Sequence, residues 1–114
     1  MKLVDKEISL DELKEMSEKM FGDYVKAVVD LKKNVMAVDA HMHADQELSL
    51  LENGSDQGDL WGINLHPLSF GTSEWVEFDS MINLRPSWGN KSRGVDNPKT
   101  QQEIIYLVNK LVKQ

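Results

Sequence analysis

The chain has no cysteine. Disulfide staples, thiolate metal sites and a thiol nucleophile are therefore excluded, and the composition suits a reducing compartment. No apolar run approaches the roughly 18–20 residues needed to cross a bilayer. The start, Met1-Lys2-Leu3-Val4-Asp5, lacks the apolar stretch of a secretory leader, so a cytoplasmic location without a membrane partner is expected. Phosphate-loop and dinucleotide glycine spacings are missing, as are a Gly-x-Ser-x-Gly elbow and any internal repeat. The most informative absence is one of charge. From Asn34 to Leu84 there is no lysine or arginine, while nine acids and all three histidines, His41, His43 and His66, fall in that stretch. It carries −9 and the rest of the chain +3, giving −6 overall. An acidic chain of this kind is a poor non-specific nucleic-acid binder, because that binding depends on Lys and Arg neutralising phosphates.

What is present reads as one domain over residues 1–114, with an ordinary 40% hydrophobic and 28% charged content. Ser9-Leu10-Asp11-Glu12 has the capping-box pattern of a helix start, and apolar residues at helical spacing follow as far as Met20, with Gly22 as a stop. Tyr24 to Lys32 alternates apolar and polar residues, as a half-buried strand does. Lys33-Asn34 reads as a two-residue turn into a returning strand, Asn34 to Ala40. Ala44 to Asn53 reads as a second helix, with Gly54 at the left-handed position after its end. Leu60 to His66 and Trp75 to Leu84 read as strands, the latter the longest. Asn97-Pro98 supplies an N-cap with proline at the first helical position, and Ile104, Ile105, Val108, Leu111 and Val112 make an apolar stripe. Trp61 is expected in the core, and Trp75 and Trp88 partly exposed. The expected fold is α+β: a roughly four-stranded, mostly antiparallel sheet with about three helices packed on one face.

Three constellations could carry chemistry. The first is Val38-Asp39-Ala40-His41-Met42-His43, an apolar strand ending in His-x-His. It resembles the first strand of metal-dependent amidohydrolases, whose paired imidazoles ligate a metal. The resemblance covers six residues, and that fold needs about 250. A smaller metal set would be His41, His43 and His66 with Asp39 or Asp79; the plainer reading is ordinary polar residues at a strand–helix junction. The second is the polar face of the last strands. If 60–66 pairs with 75–84, Asn64 and His66 neighbour Glu77, Asp79 and Asn83, and His66 with Asp79 or Glu77 becomes a general acid–base pair for a small hydrolase-like enzyme. The plainer reading is the polar face that any half-solvated sheet shows.

The third is the basic loop that ends the acidic stretch. Arg85, Lys91 and Arg93 supply cations, Ser87 and Asn90 add hydrogen-bonding groups, and Trp88 offers a stacking surface. These are the ingredients of a site for an anionic ligand or an acidic partner, and a binding module working through residues 85–94 is the leading expectation. The plainer reading is that these cations neutralise the acidic stretch, within the molecule or across a homodimer. No cofactor is required by the sequence.

Leu60-Trp-Gly-Ile-Asn-Leu65, Glu77-Phe-Asp-Ser-Met-Ile-Asn-Leu-Arg-Pro-Ser87, His43-Ala-Asp45 and the following Gly89-Asn90 and Ser92-Arg93-Gly94 together resemble a small prokaryotic family, a domain of unknown function, over nearly the whole chain. The resemblance implies a single intracellular domain and brings no activity, substrate or catalytic residue with it.

Overall fold

A computed structural model describes residues 1–114. The chain runs β1 (Lys2–Val4), β2 (Ile8–Ser9), α1 (Leu10–Lys19), β3 (Val25–Asp30), β4 (Val35–Val38), α2 (His43–Glu52), β5 (Leu60–Leu65), β6 (Val76–Glu77), α3 (Pro98–Leu111) and β7 (Val112–Lys113), with short 3₁₀ turns between α2 and α3. Local signals place the helices. The Ser9 side chain accepts from the Glu12 N–H at the start of α1, and Asn97 accepts from Lys99 at the start of α3. Glu12 does not reach back to its cap but takes the Lys2 ammonium at 2.7 Å. At the end of α2, Gly54 adopts φ +94°, and the Gly54 and Ser55 amides donate to the Leu51 and Leu50 carbonyls. This paired termination needs a left-handed residue and satisfies two orphaned carbonyls.

The sheet order is β1-β4-β3-β5-β6, with every pairing antiparallel. The α+β expectation holds, with five strands in place of about four. The added strand is β1, in register with β4 from Lys2↔Val38 to Val4↔Met36. Only Val4 of its three residues is buried, so no alternation announces it. A separate two-residue parallel pair joins Ile8 to Val112 and Ser9 to Lys113. No helix is long and apolar enough to cross a membrane.

Strand alternation sends side chains to two cores. On one face Val25, Ala27, Val29, Met36, Val38, Ile63 and Leu65 meet α1 through Leu10 and Leu13, and α3 through Ile104, Leu107, Val108 and Leu111. On the other, Val28, Ala37 and Leu60 pack under Leu50 of α2. The helices thus divide between the faces, α2 covering the second. The hairpin of β3 and β4 turns through residues 31–34, with Asn34 at φ +59°. The buried Asp30 carboxylate organises the turn, accepting from the Lys32 and Lys33 amides and from the Ser55 hydroxyl, which ties it to the end of α2.

The long strand expected at Trp75 to Leu84 shrinks to Val76–Glu77. Its continuation is replaced by one side chain. Asn83, fully buried, accepts from the Gly62 N–H and donates to the Gly62 carbonyl, so its amide imitates a strand neighbour for β5. Gly62 must be glycine here, because a Cβ would lie 2.5 Å from the Ser80 hydroxyl oxygen. Trp75, expected partly exposed, is only 3% exposed: it packs edge-on against Phe70, and its indole N–H donates to Asn109.

Candidate functional site

The basic loop is built largely for its own folding. The Arg85 guanidinium lies 4.3 Å from the Trp61 ring centre and 5.6 Å from that of Trp88. It donates to the Gln57 and Leu60 carbonyls at 2.7 and 2.8 Å, and burial pushes its pKa down. Asn90 is buried, its amide donating to the carbonyls of Asn83, Ser92 and Gly94 while its oxygen accepts from the Asp96 N–H. Asp96 in turn accepts from the Lys91 amide and the Ser92 hydroxyl; those bonds, that of Ser92 foremost, hold its carboxyl below the usual range. Ser87, Trp88 and the Lys91 side chain remain exposed. The loop makes one ion pair with the acidic stretch, Arg93 Nε to Asp79 Oδ1 at 2.9 Å.

The three histidines lie in separate settings. His41 stands at the surface, edge-on to Phe21 with ring centres 6.0 Å apart. His43 is buried against the sheet, and His66 lies beside Glu77. No three His, Asp or Glu side chains converge where a metal ion could be held.

The polar pair read from alternation does assemble, with Asn64 opposite Glu77 in the ladder. Glu77 Oε1 accepts from Asn64 Nδ2 at 3.1 Å and lies 3.0 Å from His66 Nε2. The His66 bond, chiefly, holds the Glu77 carboxyl below its ordinary range. Asp79 does not join them, because its side chain turns to Arg93. An open hollow of about 370 Å³ beside His66 holds Ser69 and Ser73, neither hydroxyl hydrogen-bonded to the imidazole.

A second depression, of about 270 Å³, lies on the sheet face that α2 covers. Lys26 and Asn64, cross-strand partners on β3 and β5, line it from the sheet. The first turn of α2 supplies His43 and Ala44, and Asp79, Ser80 and Arg93 stand opposite. Met42 and Met81, 54% and 62% exposed, flank it. Helix α2 begins without a side-chain cap, since its N-cap residue is Met42. Its first N–H groups and the positive end of its dipole are thus left for another acceptor.

His43 Nε2 lies 2.7 Å from the Ile63 carbonyl, so that nitrogen carries the proton and Nδ1 the lone pair. Burial lowers the His43 pKa below 6.5, Lys26 and Arg93 push the same way, and Asp79 opposes them. Asn64 is 7% exposed. Its Nδ2 donates to Glu77 and, at 3.3 Å, to the Asp79 carbonyl, while its Oδ1, with no solvent access, accepts no hydrogen bond. Sequence reasoning placed His43, Asn64, Asp79 and Arg93 in three different constellations and missed Lys26. Its only signal was its place on the polar face of β3.

These features define an antiparallel α+β protein with a small polar cleft under a lone helix. Residues 2–111 match the family described as "Protein of unknown function (DUF5674)", and the chain belongs to that family. No curated protein and no solved structure matches it.

Proposed function

We propose that the protein is a cytoplasmic binding module for a small anionic ligand, and that the ligand sits in the cleft beneath α2. One observation carries this reading: Lys26 and Arg93 line the cleft together with the uncapped first turn of α2. Cations and a helix N-terminus favour the same sign of guest. The basic loop contributes Arg93, while Arg85 serves to hold the loop on β5. Titration with phosphate and with acetate, followed by amide NMR, tests the reading. Saturable shifts at Ala44, Asn64 and Arg93 are expected, weakened by roughly tenfold or more in Lys26→Ala or Arg93→Ala, the scale of one charge-assisted hydrogen bond. Shifts absent from these residues for both anions would sink it.

A second reading rests on the 3.0 Å contact of His66 with Glu77. A carboxylate that fixes the imidazole tautomer leaves Nδ1 as a base for a water-activated hydrolysis. Release of nitrophenol from an activated ester, lost in His66→Ala, would support it; equal rates in the two proteins would remove it.

A further inference from the structure

The cleft lining is chemically divided, and the division bears on the class of ligand. Two donors have capacity to spare. Arg93 engages Asp79 through Nε alone, leaving its terminal nitrogens free, and Lys26 Nζ makes no hydrogen bond, resting 5.2 Å from the Phe21 ring centre. Two acceptors are also under-used. Asp79 meets Arg93 through one carboxylate oxygen, and the Asn64 Oδ1 is buried without a donor. An anion with no donor of its own, such as acetate, would satisfy the donors but would face the Asp79 carboxylate and the Asn64 oxygen, both of which repel it. A guest bearing both an anionic group and a positively charged donor satisfies all four. The flanking Met42, Met81 and Ile82 add room for a short apolar substituent. A volume of about 270 Å³ corresponds to roughly nine waters at about 30 Å³ each, hence on the order of ten non-hydrogen atoms.

We infer that the ligand is a small bipolar molecule of the α-amino-acid class, its carboxylate toward Lys26 and Arg93 and its ammonium toward Asn64 and Asp79. This rests on the anion-binding reading above and narrows it. Reaching the enclosed Asn64 oxygen requires a side-chain shift at the cleft.

The test compares three probes of one shape by amide NMR titration of the full chain: L-leucine, 4-methylpentanoate, which lacks the amine, and L-leucinamide, which lacks the carboxylate. Leucine is expected to shift Ala44, Asn64, Ser80 and Arg93 saturably. The methylpentanoate is expected to bind about tenfold more weakly, the scale of one buried acceptor gaining its donor, and leucinamide to leave these signals unmoved. Asn64→Ala and, at a more exposed side chain, Asp79→Asn should each narrow the gap between leucine and methylpentanoate. If Asn64→Ala does not fold, Asp79→Asn and the wild-type comparison decide. Equal affinity for leucine and methylpentanoate overturns the bipolar assignment and leaves the anion reading standing. Binding of phosphate with none of the three probes does the same. Failure of every anion overturns both.

Discussion

Asn83 shows how much one side chain can decide. Its amide pairs with both backbone groups of Gly62 and also donates to the Arg93 carbonyl at 3.0 Å. It closes β5 where β6 has left the sheet, and it anchors the segment that presents Arg93 to the cleft. Asn83→Ala leaves these buried groups unpaired, at about 1–3 kcal/mol each before relaxation. The variant is expected to lose at least about 2 kcal/mol of stability in urea unfolding. His43 gives a pH signature. Its folded-state pKa is depressed by burial, so between that value and 6.5 the unfolded chain binds more protons. Stability therefore falls as pH drops through and below 6.5, and the loss continues until the folded-state pKa is reached. Urea midpoints from pH 7.5 to 5.5 should show a shallower decline for His43→Gln than for the wild type. Parallel declines would mean that other groups govern the acid limb.

Among the elements, α2 links packing to the site. Its C-terminal end is fixed by Gly54 and by the Asp30–Ser55 hydrogen bond, and its N-terminal end meets the cleft. Gly54→Ala forces a Cβ into the left-handed region and is expected to destabilise by about 1–2 kcal/mol in thermal unfolding. A change under about 0.3 kcal/mol would mean that the turn can relax without cost. The same helix shows what the sequence made legible. Gly54, Ser9 and Asn97 act within a few residues of themselves, so the helix ends could be read directly. The alternation of Val25 to Leu31 gave β3 for the same reason. The end of β6 could not be read, because Phe78 to Leu84 alternates like a strand while Asn83, acting at long range, takes the ladder's place. Nor could the cleft. Lys26, His43, Asn64 and Arg93 are far apart in sequence, and only the register of β3 on β5 and the placement of α2 over them bring the four together.

On the scale of the whole molecule, the −9 stretch is mostly left to solvent. Three ion pairs join a Lys or Arg to an acid, and in the two that involve the stretch, Lys32–Asp56 and Arg93–Asp79, both side chains are substantially exposed. Exposed pairs contribute little, about 0–1 kcal/mol each, whereas a net charge of −6 repels itself throughout the fold. Moderate salt screens both effects, and the repulsion is the larger. The melting temperature is thus expected to rise, not fall, between low salt and about 0.3 M NaCl, a range over which the Debye length shortens well below 10 Å. A fall would show that attraction between the loop and the acidic stretch dominates.

The small parallel pair of β2 and β7 has a mechanical consequence. Ile8 and Ser9 run alongside Val112 and Lys113 in the same direction, so once β1 has come away from β4, tension drawn toward the two chain ends pulls these strands past each other lengthwise. Their hydrogen bonds are loaded together in shear instead of being peeled open one at a time, which makes this two-residue clasp a stiffer closure than its length suggests.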